Sequence, residues 1–296
     1  MKINVQQLVR AIILFLFAFF IYRLHHSGEI LQLINPKYET LSMIGATIFF
    51  VLSFVQLFRI FSVSSNHIHC EHTDHRHDHG DKPINIKKVI SYLIILFPLA
   101  TGFLLPFATL DASIAKNKGA TLSLRNQGER EVESAPLPTN DPNQIDPNVY
   151  KNKVSKEEYE WIQQDLFHQP HLKMEDTLYA LIYQEVTQNI NMFNGRKITL
   201  NGFVYREQDF ASNQLVIGRF LITHCIADAG LIGFLAEFDQ EMTVSEDTWM
   251  EVTGTIRLTE YQGTSIPLLE IEEYQTIDQP EQPYVYPLNI QVLGGG

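Results

Sequence analysis

Apolar and polar positions along the chain fall into three regimes. Long unbroken apolar runs occupy the first 110 residues, a polar stretch follows, and the remainder shows amphipathic helical and then alternating strand patterns. The first run, about Leu8 to Tyr22, contains AIILFLFAFFIY from Ala11 to Tyr22. With its flanks it can just cross a hydrocarbon core of about 30 Å, which takes about 20 helical residues. Lys2 and Arg10 precede it as in a signal peptide, but it ends in Tyr22-Arg23-Leu24-His25-His26 with no small-x-small cleavage site. We therefore expect an uncleaved anchor. The second run, Thr40 to Phe58, has no charge, and Gly45 and Ala46 are small enough for close helix contact. The third, Val89 to Leu110, carries Pro98, Gly102 and Pro106, which should kink or interrupt the helix. Such breaks are tolerated in a bilayer where neighbouring protein or a cavity satisfies the freed backbone groups. This segment is open to two readings, contact with a larger transport partner and an ordinary kinked span.

Lys/Arg bias sets the expected orientation. The connection between the second and third runs carries Arg59, Arg76, Lys82, Lys87 and Lys88, and the amino terminus on the same side adds Lys2 and Arg10. The first connection has only Arg23 and Lys37. Positive-inside places the amino terminus and the second connection (59–88) in the cytoplasm, and everything after Leu110 outside.

Residues 111–150 are polar, with Pro136, Pro138, Pro142 and Pro147 among Asn, Asp and Ser, and read as a flexible linker between a transmembrane region (1–110) and an outer domain (151–296). Ser155-x-x-Glu158 is a capping box, with Val154 and Tyr159 spaced for a hydrophobic staple. Tyr159, Ile162 and Leu166 continue the stripe of a first helix to about Phe167. A second helix is expected after Glu175, with Glu175 and Asp176 in its first turn and Leu178, Leu181 and Ile182 on one face.

From Asn194-Gly195 the period changes to that of strands. Ile198, Leu200, Gly202 and Val204 alternate, as do Met250, Val252, Gly254 and Ile256, with apolar runs Gln214–Ile226 and Leu231–Phe238 between them and Ile266–Ile277 after. Five strands, with a glycine inside the first and the fourth where a small barrel must bend, predict an OB-like partly open barrel. The fold class is thus α+β: three transmembrane helices, then an extracytoplasmic domain of two helices and an OB-like β-barrel.

Charge narrows the partners. The net charge of −12 divides into 9 Lys/Arg against 6 Asp/Glu in residues 1–110 and 13 against 28 in residues 111–296. Although OB folds often bind oligonucleotides, a strongly acidic outer domain argues against nucleic acid, whose phosphates need a basic face.

Two stretches carry candidate chemistry. His67 to His79 (HIHCEHTDHRHDH) holds six of the eleven histidines, one of the two cysteines and three carboxylates. Imidazole, thiolate and carboxylate all suit zinc, and His67, His69, Cys70, His72, His75, His77 and His79 would let a loop wrap a divalent ion. The spacing is looser than a zinc finger's, so it reads as a His-rich metal-collecting tract, with a solvated polar loop as the plain alternative. In the outer domain, His224, Cys225 and Asp228 bring nitrogen, sulfur and oxygen ligand types within five residues. A thiolate beside an imidazole also suits a nucleophile, but adjacent strand residues face opposite ways unless a bulge intervenes, and a lone strand Cys is commonly a small hydrophobe. No base and orienting acid stand at a recognisable spacing, so we expect no enzyme. The two cysteines fall on opposite sides of the membrane in this topology and are not expected to pair.

Gly202-Phe203-Val204-Tyr205-Arg206, the block from Arg219-Phe220 to Ala227-Asp228-Ala229, Gly254-Thr255-Ile256 and Pro283-Tyr284-Val285-Tyr286-Pro287 together resemble the YcgQ-like family of bacterial membrane proteins, described as permease subunits. The resemblance covers nearly the whole chain. It implies a two-component system in which this chain partners a larger YcgR-like permease, a pairing linked to zinc or other metal homeostasis, with no enzymatic activity established for the family. The family commonly has two adjacent cysteines before x-Ala-Asp-Ala, where this chain has His224-Cys225. That exchange keeps zinc-ligand character and removes a vicinal dithiol. The expectation is an accessory permease subunit of the cell membrane that handles a divalent metal, zinc first. The alternative is an envelope binding or sensor module in which the His tract is incidental.

Overall fold

A computed structural model describes residues 5–60, 86–105, 108–118, 153–207, 209–261 and 263–291. They divide into two compact units, one of Met1–Leu31 with Tyr38–Ala108 and one of Gln32–Lys37 with Thr109–Gly296.

The first unit contains α1 (Val5–Ser27), α2 (Glu39–Ile60) and α3 (Ile86–Leu104). Among the described residues these are three helices long and apolar enough, by length and composition, to cross a membrane. α1 packs on α2 through small side chains: Ala11, Ala18 and Ala46 are buried, and the buried Ser53 hydroxyl donates to the Ala11 carbonyl at 2.9 Å. Of the two small residues, Ala46 is the buried one, whereas nothing lies within 4 Å of where a Cβ on Gly45 would stand. α3 meets α1 at Phe103, whose ring lies 5.0 Å from that of Phe20. A Cβ on Gly102 would fall 2.6 Å from the Phe20 ring, so the missing side chain admits the aromatic. The helix runs on through Pro98 and Gly102 and ends at Leu104, two residues before Pro106 and six short of the end of the apolar run.

The second unit is β-rich. Ser155 caps the helix of Lys156–Leu166 as its spacing predicts, its Oγ accepting from the Glu158 N–H at 3.1 Å. In chain order, α4 is Ala112–Lys118, α5 Lys156–Leu166, α6 Tyr179–Gln188 and α7 Ile190–Phe193. The strands are β1 Lys153–Ser155, β2 His171–Lys173, β3 Lys197–Tyr205, β4 Gln214–Leu221, β5 Gly230–Glu237, β6 Trp249–Tyr261, β7 Thr264–Thr276, β8 Tyr284–Val285 and β9 Asn289–Gln291.

The five strands read from alternation are β3 to β7. β3 pairs with β6, β6 with β7 and β5 with β4, all antiparallel; β7 pairs with β5 in parallel, and β4 returns to β3. The pairings therefore run round from β3 back to β3, with β2 and β8 added beside β3 and β4. Glycines stand where backbones crowd. Gly218 pairs with Gly233, and a Cβ on Gly218 would sit 2.6 Å from the Ile232 carbonyl oxygen. At Gly254 the β6–β7 register shifts, as a bend in that strand requires.

Alternation sorts the side chains into two clusters. Leu200, Val204, Leu215, Ile217, Phe234, Val252 and Leu269 form one core with Leu181, Ile182 and Val186 of α6. Phe203, Tyr205, Val216, Phe220, Leu231 and Trp249 form a second, covered by Ala112 and Ala115 of α4 and by Tyr284 and Tyr286. Residues 112–118, which composition assigned to the linker, are thus a helix whose two alanines are buried. α6 begins at Tyr179, so Glu175 and Asp176 precede it instead of lying in its first turn.

Candidate functional site

The tract holding His67, His69, Cys70, His72, His75, His77 and His79 lies outside the described residues. The second candidate group is described. β4 ends at Leu221, five residues before the apolar run does, so His224, Cys225 and Asp228 occupy a turn and not a strand. Strand alternation does not separate them. The reason is the carboxylate of Asp228. Its Oδ2 accepts the His224 backbone N–H at 2.9 Å and meets the His224 ring Nδ1 at 2.8 Å, and its Oδ1 accepts the Cys225 N–H at 3.1 Å. With Cys225 as the N-cap of the short 3₁₀ turn Ile226–Asp228, this is a reciprocal cap, which folds the chain back before β5.

A segment from elsewhere in the sequence closes the turn from outside. Ile34 and Cys225 form an antiparallel bridge; the Asn35 N–H donates to the His224 carbonyl at 2.9 Å, and the Ile226 N–H donates to the Leu33 carbonyl at 2.8 Å. The turn's backbone is therefore pinned on one side by Asp228 and on the other by residues 33–35. His224 and Asp228 retain exposed side chains (57% and 33%), and Cys225 is half-buried. Chemically, the turn offers an imidazole oriented by a carboxylate beside a thiol, but that carboxylate already serves three N–H groups. Among the described residues no group of three or more His, Cys, Asp or Glu is placed to hold a metal ion.

The most constrained polar side chain of this unit was not among the sequence candidates. Arg219, fully buried in β4, donates Nε–H to the Pro283 carbonyl at 3.3 Å, Nη1–H groups to Asp176 and to Asn201 Oδ1 (3.1 Å), and Nη2–H groups to the Gln282 carbonyl and the Tyr284 carbonyl (3.4 Å). Its guanidinium lies 5.6 Å from the Tyr179 ring centre and 5.7 Å from that of Trp249. All five donors are taken, as burial of a cation requires. Arg219 thereby bolts residues 282–284 to β4 and draws Asp176 out of the helix. Its signals in sequence were its place at the head of the Arg219–Ala229 block and its position as a lone cation inside the apolar run LVIGRFLI. Around it burial raises the phenols of Tyr179 and Tyr286 far above their ordinary range, with the Arg219 charge opposing in both cases.

Comparison with known proteins covers most of the chain. The DUF1980 N-terminal domain profile matches residues 9–121 and the DUF1980 C-terminal domain profile residues 149–287. UPF0703 protein YcgQ of Bacillus subtilis (strain 168) is 33% identical over 290 residues, 94% of this chain and 98% of that protein. A Streptococcus mutans serotype c protein, whose name makes it a candidate two-component membrane permease complex subunit, is 26% identical over 268 residues, 88% of this chain and 92% of that protein.

Proposed function

This chain belongs to the DUF1980 family that includes YcgQ, and from that premise we propose that it is an accessory subunit of a membrane permease that handles a divalent metal, zinc first. The single observation that carries the permease reading is likeness over 88% of this chain to a relative named for a two-component permease complex, with three apolar helices of spanning length among the described residues. The metal reading rests on composition: six histidines and a cysteine within thirteen residues. In this proposal the His tract lies in the cytoplasm and collects the ion, the β-rich unit lies outside, a larger YcgR-like permease is the partner, and no reaction is catalysed. The circuit of pairings through β3, β6, β7, β5 and β4 is read as the expected OB-like barrel, on the strength of its strand order and its one parallel pair. The face carrying Phe203, Phe220 and Trp249 is covered by the chain's own α4, Tyr284 and Tyr286, which further disfavours oligonucleotide binding there.

Calorimetric zinc titration of the full chain in detergent tests the metal reading, beside a variant with the six loop histidines changed to Ala and Cys70 to Ser. Tight binding should be lost in the variant and should weaken as pH falls through about 6.5, because protonated imidazole cannot ligate. Binding that survives the substitutions moves the site to His224, Cys225 and Asp228. Affinity no better than micromolar in both proteins removes the metal reading and leaves the envelope binding module.

A further inference from the structure

Residues 32–37 belong in sequence to the connection between α1 and α2, yet they are packed as part of the β-rich unit. Their hold is specific. Besides the bridge of Ile34 with Cys225 and its two flanking backbone bonds, the buried Asn35 side chain donates to the carbonyls of Ile222 (3.2 Å) and Thr223 (3.0 Å). Its own Oδ1 accepts the Lys37 N–H at 2.9 Å, which shapes the segment for the contact. Every polar atom of the Asn35 side chain is thus used to join a membrane-helix connection to the turn before β5. The contact is also small: one three-residue piece of ladder on a turn that Asp228 already folds from within.

We propose that residues 33–35 are a coupling clamp, through which a shift of α1 against α2 is delivered by chain continuity to the His224–Asp228 turn. Docked, the clamp holds the turn closed over the Cys225 backbone. Released, it leaves a turn folded by Asp228 alone, with its carbonyls open to solvent and Cys225 more exposed. The geometry suits a two-state element because undocking breaks no strand of the circuit and empties neither hydrophobic cluster. This inference is independent of the metal reading and holds for any cargo of the permease.

The test uses the full chain in lipid nanodiscs with Cys70→Ser, which leaves Cys225 as the sole thiol. Antiparallel partners have Cα atoms about 4.5–5.5 Å apart, within the disulfide range of about 4.4–6.8 Å. Ile34→Cys should therefore cross-link to Cys225 on mild oxidation, whereas Lys37→Cys should not. Asn35→Ala should raise the rate of Cys225 alkylation by maleimide about 10-fold with the melting midpoint unchanged, which separates undocking from unfolding. Ser53→Leu, which enlarges a buried side chain in the α1–α2 seam, should raise the same rate several-fold; Ala46→Leu replaces it if that variant does not insert. Failure of the cross-link, or an Asn35→Ala rate equal to the parent's, overturns the clamp. A rate raised by Asn35→Ala but untouched by both seam variants overturns the coupling and leaves a static strut.

Discussion

Arg219→Met is the substitution whose cost the structure specifies most fully. Methionine fills much of the same volume, so the loss is chiefly polar. Three backbone carbonyls, of Gln282, Pro283 and Tyr284, lose their donor and cannot be deleted by any compensating mutation. Each buried acceptor left unpaired costs about 1–3 kcal/mol. The Asp176 partner adds little, because its side chain is 54% exposed and water can replace the guanidinium. The sum of about 3–9 kcal/mol is an upper range, since residues 282–286 can relieve it by peeling from β4 and taking the carbonyls to solvent. Peeling sacrifices the pairing of Phe220 with Tyr284 and Leu221 with Val285 and the burial of Tyr284 and Tyr286, so it has its own cost. We expect a net loss of about 3–5 kcal/mol, the lower part of that range. Hydrogen exchange by mass spectrometry on the full chain reads this directly. Amides of Ile222 and residues 284–285 should lose protection by about 100- to 4,000-fold in Arg219→Met, at about 1.4 kcal/mol per tenfold, while the same amides in Asp176→Asn change less than about tenfold. Equal protection in Arg219→Met and the parent, or an Asp176→Asn effect as large as that of Arg219→Met, would refute the reasoning.

Two further outcomes are accessible to the same protein. Gly218→Ala places a Cβ 2.6 Å from the Ile232 backbone oxygen and should lower the thermal midpoint well beyond Gly195→Ala, where φ is +83° but the space is open and about 1–2 kcal/mol is expected; similar midpoints for the two would show that the strands separate freely. Burial comes first in raising Tyr179, Tyr183, Tyr205 and Tyr286 above the ordinary 10.0. Groups whose folded pKa is raised contribute stability that is whole below the unfolded value and fades as pH climbs past it. Stability should therefore hold to about pH 10 and fall above it, with phenolate absorbance at 295 nm from these four rings appearing together with unfolding; their ionisation in the folded protein below pH 10 would contradict the burial.

Which parts of this architecture could be read without coordinates follows from the range of the forces involved. The strands β3 to β7 are long enough for a period of two to declare itself, and the Ser155 cap is a contact over three residues. β1, β2, β8 and β9 are two or three residues long and carry no period at all. α4 hid in a polar stretch because only two small alanines and a partly buried Ile114 mark its packed face. The helix expected from Glu175 begins later because Asp176 answers to Arg219, 43 residues on. The acid-and-thiol content of the His224–Asp228 turn was visible as composition, but not the turn itself: a continuous apolar run concealed the end of β4, and the segment that closes the turn comes from the other end of the chain.

That distance also dictates an order of assembly. Asn35 emerges 187 residues before Ile222, its acceptor. Closing so long a loop in an unstructured chain would cost about 5 kcal/mol in entropy, more than a handful of hydrogen bonds on a surface turn returns. We expect the ladder between residues 33–35 and the turn to form late, after the β4–β5 hairpin that shapes the turn. A contact made that late would leave Cys225 and its turn less covered in any chain whose β4–β5 hairpin is still incomplete, so the thiol would react fastest early in folding.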